Sequence, residues 1–389
     1  MQRHHREVCR RLKANHGRKC EVRPRAARLK HFVVGRDGMS RYRHESVHAG
    51  CPVWEFGWYH GLALCRSSLC GRTAFILLCK STAKWPCDIW WRSIMNNCII
   101  NGKIYRLEHN VRDDSAARTA FFALARKIFN LDFAPWFSGG YWGARYLPYT
   151  LFDGKNAVSN VSVNLMDTVF EGRARRYIQI GTVMTDPAYR KRGLCRFLME
   201  LVLQQWRGQC DAIYLFSNDN ARGFYPKFGF SAAEEWMHRR TIVRRETQVR
   251  RLDMDDRADL ALFLRLYAEG NPYSAFPMLD NRDLLMFYCA QSLKRQVFFI
   301  EDCGAAAVAE PMDGELLCYD VYGKTKRPLN DILSALLPPG LHTAALGFTP
   351  ADGEADDIRP YHADDTTLFI LGENLPAKHR LIFPLLSHT

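Results

Sequence analysis

Residues 183–198 read VMTDPAYRKRGLCRFL, and the organisation of the chain is legible outward from them. A strand end, Val183 to Thr185, runs through Pro187 into a cationic turn, Arg190 to Gly193. A helix follows with Leu194, Phe197, Leu198, Leu201 and Val202 on one face. The first N–H groups of a helix lack partners within it and sit at the positive end of its dipole. Strand, turn and helix start together therefore predict a phosphate-type anion site. Gly193 lets the backbone come close to an anion, and Arg190, Lys191, Arg192 and Arg196 add charge. Taken alone, such a turn also reads as a solvated helix start.

Upstream, 103–109 reads as a strand. A helix from about Asp114 follows, with Asp114 or Ser115 as N-cap and Phe121, Leu124, Ala125 and Ile128 at helical spacing. Strands 146–152 and 156–166 are joined at Asp153-Gly154, a hairpin signal. In the second of them Val161, Val163 and Leu165 alternate with Asn160, Ser162 and Asn164, which predicts a wet or ligand-facing side. Glu171-Gly172 marks a turn into strand 177–185. Downstream come a buried strand, 212–216, and a short helix from about Asn218. This order predicts an α/β layered fold with a mixed central sheet, not a doubly wound one. Seven aromatic residues between Phe133 and Tyr149 read equally as an acceptor lid or as packing over the sheet.

The turn also belongs to a longer pattern. Val183-x-Thr185-x-Pro187 precedes Arg190-x-x-Gly193-x-Cys195, and Asn218-x-x-Ala221-x-x-x-Tyr225-x-x-x-Gly229-Phe230 follows. The set resembles the signature motifs of the GNAT superfamily of acyl-CoA-dependent N-acyltransferases, over roughly residues 103–235. The resemblance implies a GNAT fold and transfer of an acetyl group from acetyl-CoA to a primary amine, by direct attack in a ternary complex. It implies that Arg190, Lys191, Arg192, Gly193, Leu194, Cys195 and Arg196 bind the pyrophosphate. Val183, Met184 and Thr185 would pair with the pantetheine arm, and Asn218 and Ala221 would lie on the cofactor side. Cys195 stands where the family has Gly or Ala and reads as a small packing residue rather than a nucleophile. Tyr225 matches the residue that protonates the leaving thiolate. No metal is implied.

The chemistry suits those residues. A departing thiolate has a pKa of about 8.5, against roughly 10 for a phenol, so a positioned tyrosine can hand over its proton and be recharged. Its rival role is packing against Phe230. Backbone amides of the strand would polarise the thioester carbonyl. An alkylammonium needs about 4 kcal/mol to become neutral at pH 7, so a proton acceptor is expected. Strand 177–185 holds no acid, which leaves Asp186, Glu171, the carboxylate of Thr389 or water relays.

From Val249 the pattern starts again: Val249 to Leu252, a helix with Leu260, Phe263, Leu264 and Tyr267, then strands near 297–301, 305–309, 316–322, 343–348, 366–371 and 380–386. This order resembles a second GNAT-like unit, as in the tandem Eis-like acetyltransferases. Residues 323–328, GKTKRP, stand where the anion turn would be and lack its pattern, so the unit reads as degenerate. A P-loop is rejected because Cys318 stands where glycine is required. Ser387-His388 reads as an ordinary tail.

The chain has 389 residues, 47% hydrophobic and 24% charged, which excludes disordered and collagenous classes. Its net charge of +13 is carried by residues 1–94, with 19 Lys and Arg against 6 Asp and Glu; the remainder is neutral. Seven of the 13 cysteines also lie there. The segment reads as a phosphate-gripping arm, as a zinc module (Cys65, Cys70, Cys79 and Cys87, without a C-x-x-C), or as translated non-coding sequence. The last is the preferred reading, and it sets the domains at 1–94, 95–240 and 249–389. No apolar run is long enough for a membrane helix and no secretory signal is visible, so a cytoplasmic enzyme is expected. Its partner would be a small-molecule or protein amine, with nucleic acid set aside. The competing function is a basic nucleic-acid-binding protein whose GNAT domain senses acyl-CoA without catalysis.

Overall fold

The computed structural model describes residues 54–59, 62–67, 97–109, 111–373 and 375–389. The first two stretches are antiparallel strands, β1 (Trp54–Tyr59) and β2 (Leu62–Ser67), in a unit of their own. The expectations for residues 1–94 otherwise lie outside the described residues.

Two sheets make up the rest. The first begins with β3 (Asn97–Ile100) and β4 (Lys103–Glu108), joined at Asn101-Gly102 with both residues at positive φ. This Asn-Gly turn is a standard hairpin signal that the sequence reading passed over. Helix α1 (Ser115–Phe129) starts where the Asp114 side chain accepts the N–H groups of Ala116 and Ala117. It buries Phe121, Leu124 and Ala125. The connection 131–150 contains a short helix, α2 (Ala134–Ser138), and folds into an aromatic cluster in which Phe133, Trp136, Trp142 and Tyr146 are all buried. Packing is thus its main role, although Phe133, Trp136 and Tyr146 also reach a cavity.

Strands β5 (Tyr146–Asp153), β6 (Asn156–Phe170) and β7 (Arg173–Thr185) form an antiparallel meander. The polar side of β6 is not wet. Asn160, Ser162 and Asn164 are buried, because hydrogen bonds to neighbouring strands replace water. Helix α3 (Leu194–Trp206) crosses over to β8 (Ala212–Ser217), which runs parallel to β7. Beyond β8 the expected helix is only two 3-10 turns, Asp219–Ala221 and Tyr225–Phe228, because Gly223 and Pro226 interrupt it. Strand β9 (Ser231–Ala233) ends this part.

The second sheet uses β10 (Glu235–Thr241) and β11 (Val249–Arg251), which helix α4 (Arg257–Glu269) follows; the two-residue β12 (Met278–Leu279) then pairs with β6 of the first sheet and leads to helix α5 (Arg282–Phe287). The second sheet continues through β13 (Val297–Ile300), β14 (Ala305–Met312), β15 (Glu315–Tyr322), helix α6 (Leu329–Leu336), β16 (Thr343–Leu346) and β17 (Asp357–Tyr361). Strand β18 (Thr367–Gly372) and helix α7 (Leu375–His379) follow.

The strand orders are β3-β4-β5-β6-β7-β8-β18-β9 and β11-β13-β14-β15-β16-β10-β17, and the first matches the second when counted from β4. Counted from β4 and from β11, the fourth and fifth strands are parallel and all other neighbours antiparallel. The units therefore repeat one topology and exchange their sixth strands. β18 from the later half completes the first sheet, and β10 from the earlier half completes the second. A linear split near residues 240–249 cannot follow this exchange, since both crossing strands are set by long-range pairing.

Residues 380–386 form no strand. They thread between the sheets as an extended segment that ends in the 3-10 turn Leu385–Ser387, with Leu381, Ile382, Phe383, Leu385 and Leu386 buried. Phe383 stacks on Tyr214 of β8, with centroids 4.0 Å apart and an interplanar angle of 9°. No helix among the described residues is long and apolar enough to cross a membrane. Because Phe383 fills the interior between the sheets, Phe383→Ala should cost about 3–5 kcal/mol in unfolding free energy, read from denaturant titration of the full chain.

Candidate active site

Parallel pairing of β7 with β8 runs from Tyr177–Ala212 to Ile180–Leu215 and stops there, although β7 continues to Thr185 and β8 to Ser217. Past this fork, residues 181–185 of β7 have no strand neighbour on the β8 side. On the other side the β6 pairing jumps from Asn160–Met184 to Ser162–Gly181, so Thr182 and Val183 oppose Val161 alone. This is a β-bulge. It puts Thr182 at φ 48, an uncommon conformation for a β-branched residue.

The strain is braced from two directions. Tyr146 Oη donates to Thr182 Oγ1 at 2.8 Å, and Asn160 Nδ2 donates to the Thr182 carbonyl at 2.9 Å. Asn160 and Tyr146 are tied together through Ser162 and Thr150. The polar alternation on β6 is thus the frame that holds the bulge.

The fork opens into a cavity of about 2070 Å³, larger than the roughly 300–1,000 Å³ of a drug-sized ligand site. Val183, Met184, Thr185, Arg190, Lys191, Gly193, Leu194, Cys195, Arg196, Asn218, Ala221 and Tyr225 all line it. Arg192 does not. Its guanidinium donates to the Ala188 carbonyl at 2.8 Å and lies 4.8 Å from the Tyr189 ring centroid. Gly193 is the N-cap of α3 at φ 81, and no side chain caps the helix start. Asn101 reaches across from the first hairpin to hold the turn, donating to the Arg192 carbonyl at 2.8 Å.

Tyr225 is buried among Phe224, Phe230 and Phe369 yet still lines the cavity, so packing and access coexist. Burial, and then the neighbouring Cys195, raise its pKa well above the ordinary phenol value, which keeps it protonated at neutral pH. Burial also pushes the Cys195 thiol up to about 12. A thiol in that state is a packing group, not a nucleophile.

Of the acids considered as proton acceptors, Asp186 caps the turn Pro187–Tyr189 and pairs with Lys127 at 2.6 Å. Partial burial works to raise its pKa, but Lys127 and the Ala188 N–H hold it below the ordinary value. Glu171 sits in the exposed turn between β6 and β7 and does not line the cavity.

Thr389 does line it, with its hydroxyl 3.4 Å from Asn164 Nδ2 and against Gly181. A Cβ at Gly181 would lie 2.3 Å from that hydroxyl, so only glycine admits the tail here. His388 lines the cavity too, stacked on Phe216 with centroids 3.9 Å apart. The two residues that follow the last β7–β8 pair, Gly181 and Phe216, thus carry Thr389 and His388. The tail is part of the site. Asn164 lies on the face of β6 that the alternation marked as wet or ligand-facing, and it does line the cavity. Sequence reasoning missed Gly181, Thr182 and His388, and only the glycine within strand 177–185 offered a signal for any of them.

The second unit has no equivalent opening. After the last β15–β16 pair, Cys318–Leu346, the Gly347 N–H donates to the Cys318 carbonyl at 2.7 Å. A Cβ on Gly347 would lie 2.8 Å from the Tyr319 carbonyl oxygen, so the strands stay in backbone contact. In the loop after β15, Pro328 stands as N-cap of α6.

Residues 117–230 match the family model described as acetyltransferase (GNAT) family. No curated protein matches the chain. Similar solved structures include a GCN5-related N-acetyltransferase from Kribbella flavida, at 16% identity over 68% of this chain and 71% of that one, with a TM-score of 0.43. Eis1 from Mycobacterium abscessus is similar at 17% identity over 68% and 72% of the two chains, with a TM-score of 0.42.

Burial makes a direct chemical prediction for Cys195. At pH 8 a thiol titrating near 12 is ionised to about one part in ten thousand. Iodoacetamide should leave Cys195 unmodified in the native chain and alkylate it after denaturation, as read by peptide mass spectrometry.

Proposed function

We propose, from the match of residues 117–230 to the acetyltransferase (GNAT) family model, that the chain transfers the acetyl group of acetyl-CoA to a primary amine. The observation that carries the proposal is the fork. A sheet whose parallel strands separate beside an uncapped, cationic helix start has a slot for an extended chain and an anion seat at its mouth.

In this reading the N–H groups of Leu194, Cys195 and Arg196 receive the pyrophosphate, with Arg190, Lys191 and Arg196 adding charge. The free side of β7, from Val183 to Thr185, pairs with the pantetheine arm, and Asn218 and Ala221 border it. The amine attacks the thioester carbonyl directly, the C–N bond forms and the C–S bond breaks. Tyr225 gives its proton to the departing sulfur. Burial that raises the phenol pKa also disfavours the bare thiolate, so the transfer remains favourable.

The acceptor end suggests the class of amine. Among the cavity-lining residues from 281 onward are Asp283, Glu310, Asp313, Asp364 and Asp365, with no lysine or arginine, beside Tyr288, Tyr319 and Tyr361. Carboxylates and aromatic faces favour a substrate with more than one cationic centre. Spermidine should therefore be acetylated with a higher kcat/KM than a neutral monoamine such as ethanolamine. Activity confined to uncharged acceptors would contradict this.

Coenzyme A should raise the melting temperature of the full chain. Arg190→Ala should weaken its binding by about 10- to 100-fold in calorimetry, from loss of a charge-assisted contact. Tyr225→Phe should lower kcat by about 100-fold while leaving coenzyme A affinity unchanged. No stabilisation by coenzyme A at any concentration would remove the proposal.

A further inference from the structure

We propose that Asn101, at the tip of the β3–β4 hairpin, is a positioning residue for the coenzyme A pyrophosphate: by holding the Arg192 carbonyl it aims the Gly193 N–H into the cavity as a further anion donor. This rests on the acetyltransferase reading of the same cavity.

Two left-handed residues shape the cationic turn, Lys191 at φ 62 and Gly193 at φ 81. A lysine in that conformation is uncommon and persists where its surroundings hold it. The hairpin supplies the hold. Asn101 Nδ2 donates to the Arg192 carbonyl at 2.8 Å, across 91 positions of sequence. Its neighbour Ile100 is buried, with Cγ2 3.8 Å from where a Cβ on Gly193 would stand.

A second limb comes from the hairpin stem. Tyr189 Oη donates to Asp153 at 2.7 Å, and Asp153 pairs with Lys103 of β4. The Arg192 guanidinium, laid over the Tyr189 ring and donating to the Ala188 carbonyl, belongs to this outer brace. The turn is thus gripped from tip and stem together.

Peptide geometry carries the effect inward. The peptide bonds of the described residues are trans, and in a trans peptide the C=O and the following N–H point in opposite directions. Fixing the Arg192 carbonyl on the hairpin therefore turns the Gly193 N–H to the other side. Gly193 lines the cavity and Arg192 does not, so that other side is the cavity side. The Gly193 carbonyl accepts the Phe197 N–H at 3.0 Å as α3 begins. Its own N–H accordingly stands in series with those of Leu194, Cys195 and Arg196, and successive N–H groups of this kind form a concave anion seat.

The residue type suits both duties. Asn101 at φ 50 and Gly102 at φ 81 make the hairpin turn, whose first position favours Asn, Asp or Gly. Of the three, only asparagine has a side-chain N–H to donate. Glycine would keep the hairpin and lose the bond to Arg192. That bond is exposed to solvent, where water can replace the lost donor, so its removal costs little folding stability.

The test uses the full chain with spermidine as acceptor and two donors, acetyl-CoA and S-acetylpantetheine, which carries the same thioester without a pyrophosphate. Asn101→Gly should weaken coenzyme A binding about 10-fold in calorimetry and raise the KM for acetyl-CoA by a similar factor. The kcat at saturating acetyl-CoA and the kcat/KM for S-acetylpantetheine should stay as in the wild type. In the wild type labelled at glycine nitrogen, coenzyme A should move the Gly193 amide proton downfield and pantetheine should not. The resonance is assigned by its loss in Gly193→Ala.

Equal losses with the two donors would make Asn101 a structural residue and overturn the proposal. Unaltered coenzyme A affinity in Asn101→Gly would do the same. If that variant does not fold, or S-acetylpantetheine is not turned over, the wild-type Gly193 resonance decides unaided: no movement with coenzyme A overturns the assignment. A wild type that neither binds coenzyme A nor releases thiol from acetyl-CoA defeats the acetyltransferase reading itself, an outcome separate from these.

Discussion

Separation of β7 from β8 beyond Ile180 and Leu215 is the constraint on which the site depends. Parallel strands with hydrogen-bonding edges tend to stay paired, and the second unit shows the closed outcome, with Gly347 pressed onto Tyr319. In the first unit the open outcome is held by two devices. The bulge at Thr182 turns β7 away, braced by Tyr146 and Asn160. The tail then wedges Thr389 against Gly181 and His388 against Phe216. A strained residue held by two hydrogen-bonding supporters is expected where backbone geometry serves chemistry.

The two units show how one topology serves two ends. Both have a meander, a crossover helix, a parallel fifth strand and a borrowed sixth strand. Only the first combines a glycine turn, an uncapped helix start and a fork. The second supplies walls: its carboxylates and tyrosines line the far end of the cavity, and its β10 carries Glu235 beneath the tail. The duplicated framework and the single opening are therefore parts of one site rather than two sites of unequal quality.

Much of this was legible in the sequence because it depends on short-range rules. Asp114 announced α1, Asp153-Gly154 announced a hairpin, and the motif around Gly193 announced the turn. Long-range pairing was not legible. Nothing local to Glu235–Thr241 or Thr367–Gly372 says that each strand crosses to the other sheet. The polar face of β6 was legible only in part, since alternation reveals which residues share a side but not that protein covers Asn160 and Ser162 while Asn164 reaches the cavity. His388 was hidden more deeply still. Its placement in the cavity wall comes from Phe216, Phe383 and Glu235, residues 172, 5 and 153 positions away.

The borrowed strand sets a timetable for synthesis. When the ribosome has released everything up to Tyr361, the first sheet still has an unpaired edge at β8, and the cavity lacks the wall that His388 and Thr389 provide. The nascent chain must hold that edge apart until residues 367–389 arrive, because a foreign strand could dock there in the interval. Threading of residues 367–389 is therefore a late event that completes the sheet and closes one wall of the cavity together.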